Sequence, residues 1–277
     1  MEHETVSAIA TAARNKAGFL KHSPLQYLVL SLLAGAYVGL GIVLIFAIGA
    51  PLQAQGSGAV KAVMGASFGV ALTLVIFAGS ELFTGNNLVM TVGALSKTVG
   101  AGALSKVWLV SFIGNLLGSV LLAAATAASG VLSKAPAKDF VLSVVAAKMN
   151  APAGELFFRA VLCNILVCLA VWMAMRTKDE MAKLGLIFWC LFAFIGAGFE
   201  HSIANMTLLS IGLFLPHDAS LVSWMGFARN LSIVTAGNIA GGALCIGLPY
   251  WFVAKGQKSM LAVRAVEDAA PAVAAAG

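Results

Sequence analysis

Charged residues are scarce in this chain of 277 residues: aspartate, glutamate, lysine and arginine together make up 10% of it. A soluble domain carries about a quarter charged residues, so this chain has too few to cover a surface that faces water. Apolar residues make up 60%, and a lipid bilayer is the solvent that suits such a composition. The net charge of +6 comes from basic residues in the gaps between apolar runs, which indicates membrane topology rather than nucleic-acid binding.

Cysteine and histidine are also few, and their placement argues against a metal, cofactor or redox site. The four cysteines lie inside apolar runs without CxxC spacing, which is typical of buried, small apolar side chains. A membrane enzyme or receptor is the alternative from another class, and an enzyme needs a nucleophile with a base or converging metal ligands. His201 has no second histidine inside a span, and Ser202 is only its chain neighbour. We therefore predict no metal, no cofactor and no enzyme activity.

Six apolar runs are long enough to cross a bilayer, which takes roughly 20 helical residues. They cover residues 27–48, 63–95, 107–128, 157–175, 184–214 and 231–254. The second and fifth runs contain polar interruptions, so we predict an all-α membrane protein whose second and fifth helices are broken.

Three parts of the chain differ in composition. Residues 1–24 are expected to form a cytoplasmic amphipathic segment, 25–256 the transmembrane domain, and 257–277 a flexible cytoplasmic tail. Eleven of the 17 lysines and arginines fall on the side that holds both termini. The positive-inside rule then predicts a multi-pass protein of a bacterial cytoplasmic membrane, with both termini cytoplasmic.

The two halves of the chain share short polar patterns at a spacing of about 120 residues. Each broken span has a glutamate followed five residues later by an asparagine, namely Glu81 with Asn86 and Glu200 with Asn205. The third and sixth spans share the pattern Gly-Asn-x-x-Gly at 114–118 and 237–241. An odd number of spans in each half predicts an inverted 3+3 repeat, in which broken helices mark a permeation site.

Three ionisable side chains lie well inside the spans: Glu81, Glu200 and His201. A charge at that depth costs several kcal/mol on the milder insertion scales, roughly +2.5 to +3.5 for Asp at the helix centre, so such residues are candidates for function. Two interpretations stay open for the glutamates, because they and the asparagines either tie each break together or contact a substrate. His201 is either a hydrogen-bonded core residue or a proton donor, since histidine titrates near neutral pH.

The sequence resembles the formate/nitrite transporter family over nearly its whole length. The motifs that carry the resemblance are GSELFTGNN at 79–87, LCNILVCLAVWMA at 162–174 and GFEHSIANM at 198–206. The resemblance implies a homopentamer of aquaporin-like protomers, a pore through each protomer and a central hole filled by membrane lipid. It also implies transport of small monovalent anions, with nitrite preferred and formate, other short-chain carboxylates or hydrosulfide as the alternative.

Site residues follow from the same resemblance. His201 and Thr84 match a central histidine and threonine that face the substrate, and Asn164 matches a polar residue near them. Lys148 matches a lysine at the outer mouth, where positive charge would attract anions. Four apolar side chains match rings that pinch the pore: Leu82 and Phe194 in an outer ring, Phe68 and Leu72 in a cytoplasmic ring.

These expectations combine into a mechanism. A basic mouth concentrates the anion, and apolar rings oppose a bare charge more than a neutral molecule. His201 is expected to protonate the weak-acid anion between the rings, so that it crosses as the neutral acid.

Overall fold

The computed structural model describes residues 2–260, which are helical in nearly every segment and contain no β-strand. The tail predicted at 257–277 lies outside the described residues from 261 onward. Residues 257–260 are helical and end the last membrane-length stretch, Trp224–Met260. The helices are α1 (Glu2–His22), α2 (Pro24–Ala54), α3 (Val60–Ser67), α4 (Gly69–Phe77), α5 (Phe83–Leu95), α6 (Ala101–Ser129), α7 (Ala137–Asn150), α8 (Ala153–Ala174), α9 (Glu180–Ala197), α10 (Ser202–Phe214) and α11 (Trp224–Ile239).

Six stretches of this architecture are long and apolar enough to cross a membrane. They are Pro24–Ala54, Val60–Phe77, Ala101–Ser129, Ala153–Ala174, Glu180–Ala197 and Trp224–Met260. The prediction of an all-α chain with six membrane-capable helices is confirmed. The last stretch continues α11 through a π-helical segment, Ala240–Gly247, which the sequence did not predict.

Two short non-helical segments separate the second and fifth stretches from the helices that follow them. One covers residues 78–82, between α4 and α5, and the other covers 198–201, between α9 and α10. Gly79 and Gly198 lie in these segments with φ of 74° and 78°, a conformation that disfavours any side chain with a Cβ. Both following helices, α5 and α10, have 13 residues, and almost every residue in them is buried.

Helix α1 lies against the rest of the chain through one face. Val6, Ile9 and Ala13 are buried, as its amphipathic pattern predicts, and α1 packs mainly on α5. Its first turn is held by Glu2, which accepts hydrogen bonds from Gln257 at 2.5 Å and Arg176 at 3.2 Å. These bonds lower the pKa of Glu2 from its usual 4.5 to about 2, and the bond from Gln257 has the largest effect. The carboxylate therefore stays charged at neutral and mildly acidic pH.

The membrane-length helices pack closely where glycines remove the side chain. A Cβ added at Gly118 of α6 would lie 1.9 Å from the carbonyl oxygen of Leu32 in α2. The same approach occurs in the second half, where a Cβ at Gly241 would lie 2.3 Å from the carbonyl oxygen of Val161 in α8. Small residues that let two backbones meet are the usual means of helix association in membranes. These contacts fix the spans on either side of each non-helical segment.

Candidate functional site

Glu81 lies in the non-helical segment between α4 and α5 and is almost fully enclosed by donors. Lys16 of α1 donates to both carboxylate oxygens at 2.7 and 2.6 Å, and the hydroxyl of Tyr27 donates at 2.8 Å. Asn86 adds a hydrogen bond of 3.2 Å from the first turn of α5. The sequence predicted the pair of Glu81 and Asn86 but gave no sign that a lysine of α1 and Tyr27 reach the same carboxylate.

Glu200 occupies the corresponding position in the second half, between α9 and α10. Lys148 of α7 donates to its carboxylate at 2.8 Å, and Asn205 of α10 donates at 2.6 Å. Asn205 also donates to Asn230 of α11 at 2.9 Å. Each glutamate thus joins a lysine on a helix outside the six membrane-length stretches to an asparagine in the first turn of the following buried helix.

A buried asparagine clamps each non-helical segment to a neighbouring span. Asn115 of α6 donates to the carbonyls of Ser31 and Glu81 at 2.7 and 2.9 Å and accepts from the backbone N–H of Phe83 at 2.9 Å. Asn238 of α11 makes the matching set. It donates to Ala160 and Glu200 and accepts from Ser202, at 2.8, 3.0 and 2.9 Å. The bonds to the non-helical segments and to the first residues of α5 and α10 satisfy backbone groups that lack helical partners, as membrane depth requires.

His201 lies at the start of α10 and joins the two halves. Its Nε2 is 2.9 Å from the hydroxyl oxygen of Thr84 at the start of α5. Its Nδ1 accepts a hydrogen bond from the backbone N–H of Ala204 at 3.2 Å, so the side chain caps α10. A ring nitrogen that accepts carries no proton, which places the proton of the neutral imidazole on Nε2. In this tautomer Nε2 donates to Thr84, and the Thr84 hydroxyl keeps its own proton to donate.

A cavity of about 530 Å³ leads to His201 from one side of the protein. Three basic residues line it: Lys61, Lys148 and Arg159. Glu200 is the one acidic residue among its described lining residues. The cavity, here called the basic vestibule, therefore has a positive balance. Lys148 lies on its wall and shares its charge with Glu200.

Beyond His201, the space closes to an apolar void of about 10 Å³. The four side chains predicted to form rings all line it, namely Phe68, Leu72, Leu82 and Phe194. Val38, Val167 and Leu191 also line it, and the sequence did not single them out. No cation lies among these described residues, so this void opposes a bare anion.

The four ring residues lie around one void. Phe68 and Phe194 were expected in opposite rings, and their aromatic rings pack edge to face with centroids 5.5 Å apart. Phe194 also lines the basic vestibule and stacks beside His201, whereas Leu72 and Leu82 line only the void. The division of these residues into an outer and a cytoplasmic ring stays a prediction.

Asn164 lies behind Thr84 rather than on a cavity wall. It is fully buried, and its amide donates to the carbonyls of Thr84 and Asn238 at 3.3 and 2.6 Å and to the side chain of Asn87 at 3.0 Å. It lines neither the basic vestibule nor the apolar void. The hydrogen bond to the Thr84 carbonyl holds the backbone of Thr84, so Asn164 positions that residue and does not itself line either space.

Within residues 2–260 there is no group of three or more histidine, cysteine or acidic side chains that could hold a metal ion. The site consists of hydrogen-bond donors, two enclosed ion pairs and apolar side chains. Such a set can bind and pass a small anion, and it contains no nucleophile aligned with a base. The residues that sequence reasoning missed are Lys16, Tyr27, Asn115 and Asn238. Of these, only the asparagines left a signal, the repeated Gly-Asn-x-x-Gly pattern.

Comparison with known proteins points to one family over most of the chain. The family profile described as formate/nitrite transporter matches residues 3–252. The chain is 44% identical over 249 residues to the nitrite transporter NirC of Salmonella typhimurium, covering 90% of this chain and 91% of that protein. Relatives of this kind are transporters, which decides against the membrane enzyme considered above.

Solved structures give the same result for the fold. One, titled FNT family ion channel, superposes with a TM-score of 0.85 at 44% identity and covers 90% of this chain and 98% of that one. Another, titled pentameric formate channel with formate bound, gives a TM-score of 0.70 at 26% identity over 82% of this chain and 96% of that one. The helical arrangement described above is thus shared with channels for small anions.

Proposed function

This chain belongs to the formate/nitrite transporter family, and from that premise we propose that it carries nitrite through a pore in each protomer. The observation that carries the proposal is the position of His201, a hydrogen-bond donor between a basic vestibule and an apolar void. The 44% identity with a nitrite transporter over nine-tenths of the chain supports nitrite as the substrate.

The basic vestibule is proposed to concentrate the anion. Lys61, Lys148 and Arg159 raise the local anion concentration, since a cleft lined by one sign of charge focuses the field. Glu200 keeps Lys148 in place through a 2.8 Å ion pair and lowers its net attraction. An anion that approaches Lys148 is therefore attracted but not trapped, which transport requires.

At the centre, Thr84 and His201 are proposed to receive the anion as hydrogen-bond donors. We further propose that His201 transfers a proton to nitrite, so that nitrous acid crosses the apolar void as a neutral molecule. The hydrogen bond from the N–H of Ala204 to Nδ1 of His201 limits this step. A doubly protonated imidazole carries a proton on Nδ1, and this proton would point at the N–H of Ala204. Proton transfer through His201 thus requires α10 to give up that cap for the duration of the step.

Glu81, Asn86, Glu200 and Asn205 are proposed to support the two non-helical segments rather than to bind substrate. Their carboxylates and amides are occupied by one another and by Lys16 and Lys148. The two matching sets of bonds also support the inverted repeat, which stays a prediction. We propose a homopentamer in a bacterial inner membrane with both termini in the cytoplasm.

The variant His201→Asn tests the proton-transfer step. Asparagine is a good helix cap and keeps an N–H donor, but it does not titrate. In proteoliposomes we expect nitrite flux to persist and its rise toward acidic pH to flatten. His217→Asn, a change in a loop away from the site, is the matched control and should behave as the wild type. A wild-type pH profile for His201→Asn would show that the proton reaches nitrite by another route.

Formate is the second candidate, and one observation favours it. The chain shares its fold, at 26% identity, with a structure titled as a pentameric formate channel with formate bound. The donors at the site suit any small planar anion with two oxygens. Flux of nitrite, formate and hydrosulfide measured side by side in the same proteoliposomes decides between them.

A further inference from the structure

A second large cavity, of about 830 Å³, lies between α1 and the beginning of α6. One wall is formed by Arg14, Ala17, Gly18 and Lys21 of α1, whose spacing places them along one stripe of the helix. The opposite wall includes Lys106, Val107 and Val110 of α6 and the segment that precedes it. This cavity, here called the α1–α6 groove, shares no lining residue with the basic vestibule or the apolar void.

The groove faces away from the anion pathway. Lys16, two residues from Arg14 and therefore about 200° around the helix, points to Glu81. Helix α1 thus has one face bonded to the non-helical segment of the first half and another face open to the groove. The groove is an independent feature that the transport proposal does not use.

The lining of the groove combines basic and apolar side chains. Arg14, Lys21 and Lys106 are exposed, and no acidic residue is among the described residues that line the groove. Leu20, Val99 and Val110 add partly exposed apolar lining, and the neighbouring Leu25 and Leu109 are 68% and 59% exposed. An amphiphile with an anionic head and an apolar tail matches this combination. Basic pockets beside membrane-spanning helices suit phospholipid head groups.

We propose that the α1–α6 groove binds an anionic phospholipid, with its phosphate at Arg14, Lys21 and Lys106 and an acyl chain along Leu20, Val99 and Val110. A soluble anion would leave the apolar lining uncovered. Charge complementarity favours an anionic head group, because three basic residues and no acidic one are among the described lining residues. A bound lipid bridges α1 to α6 and thereby holds Lys16 at Glu81.

Two kinds of variant test the groove by different means. Arg14→Gln with Lys106→Gln removes charge from the head-group end. Gly18→Leu fills the groove without changing charge, because a Cβ at Gly18 meets no atom within 4 Å and leucine favours a helix. Native mass spectrometry of the full-length protein, equilibrated with equal amounts of phosphatidylglycerol and phosphatidylcholine of matched acyl chains, measures which lipid is retained.

The wild type should retain phosphatidylglycerol over phosphatidylcholine. The double charge variant should lose that preference by roughly thirtyfold, since each of the two basic residues near the surface is worth about 1 kcal/mol. Gly18→Leu should retain less of either lipid. The matched controls are Lys178→Gln and Gly185→Leu, which lie outside the groove and should behave as the wild type.

Three results would overturn the proposal. The first is equal retention of both lipids by the wild type. The second is the same retention by the groove variants and the controls. The third is a change in the number of protomers in the assembly with lipid retention unaltered, which would make a second copy of the chain the occupant of the groove.

Discussion

At the residue scale, the site depends on side chains that hold backbone rather than on side chains that touch the anion. His201 is buried, with 4% of its surface exposed, and both ring nitrogens are engaged. Its position follows from the segment that precedes α10, which Asn238 clamps through the carbonyl of Glu200 and the N–H of Ser202. The donor at the centre of the pathway is therefore positioned by an asparagine on a different span.

Replacing that clamp should damage both stability and transport. Asn238→Ala removes the partners of the Glu200 carbonyl and the Ser202 N–H, and each buried unsatisfied group costs roughly 1–3 kcal/mol. We expect a lower thermal unfolding temperature in detergent and a several-fold loss of nitrite flux. Asn150→Ala, at an exposed asparagine of α7 whose bonds to Ala146 and Leu221 water can replace, is the control and should change both far less. Wild-type flux and stability in Asn238→Ala would show that the clamp is dispensable.

Sequence reasoning found some of these residues and could not find others. Glu81 with Asn86 and Glu200 with Asn205 were predicted from spacing alone, because a local pair five residues apart leaves a readable pattern. Lys16 could not be predicted as the partner of Glu81, since an amphipathic helix carries several lysines and its rotation depends on packing. The contact of Phe68 with Phe194 depends on how the junction of α3 and α4 meets α9, which no local pattern encodes.

At the element scale, the chain combines long apolar helices with two short buried ones. Glycines at positive φ lie just after α4 and α9, and α5 and α10 begin after the short segments that contain them. Both of these helices are enclosed by the longer ones. The six apolar stretches and the two interrupted regions were visible in the sequence. The π-helical segment was not, because the residues of Ala240–Gly247 also suit an ordinary α-helix.

Close approach of α2 and α6 is the contact most sensitive to a single methyl group. Gly118→Ala would place a Cβ 1.9 Å from the carbonyl oxygen of Leu32, which is backbone and has little room to move. Overpacking of this kind costs typically 1–3 kcal/mol, so the thermal unfolding temperature in detergent should fall by several degrees. Gly154→Ala is the control, since a Cβ there meets nothing within 4 Å. Equal unfolding temperatures for the two variants would contradict the packing described for α2 and α6.

At the scale of the whole molecule, two similarly bonded halves meet at the contact between Thr84 and His201. Each half contributes a glutamate, a lysine from a helix outside the membrane-length stretches and an asparagine clamp. The fold class and the family followed from the sequence, because composition and long motifs are properties of the chain itself. The homopentamer and the orientation of the termini stay proposals that rest on family likeness and on the distribution of basic residues.

Nitrite flux through the purified wild-type protein in proteoliposomes, measured across pH against empty liposomes, tests the account most directly. The account predicts saturable flux of nitrite well above that of chloride, rising as the pH falls because the neutral acid crosses the apolar void. Nitrite flux no faster than through empty liposomes, or equal conduction of chloride and nitrite at every pH, would contradict it.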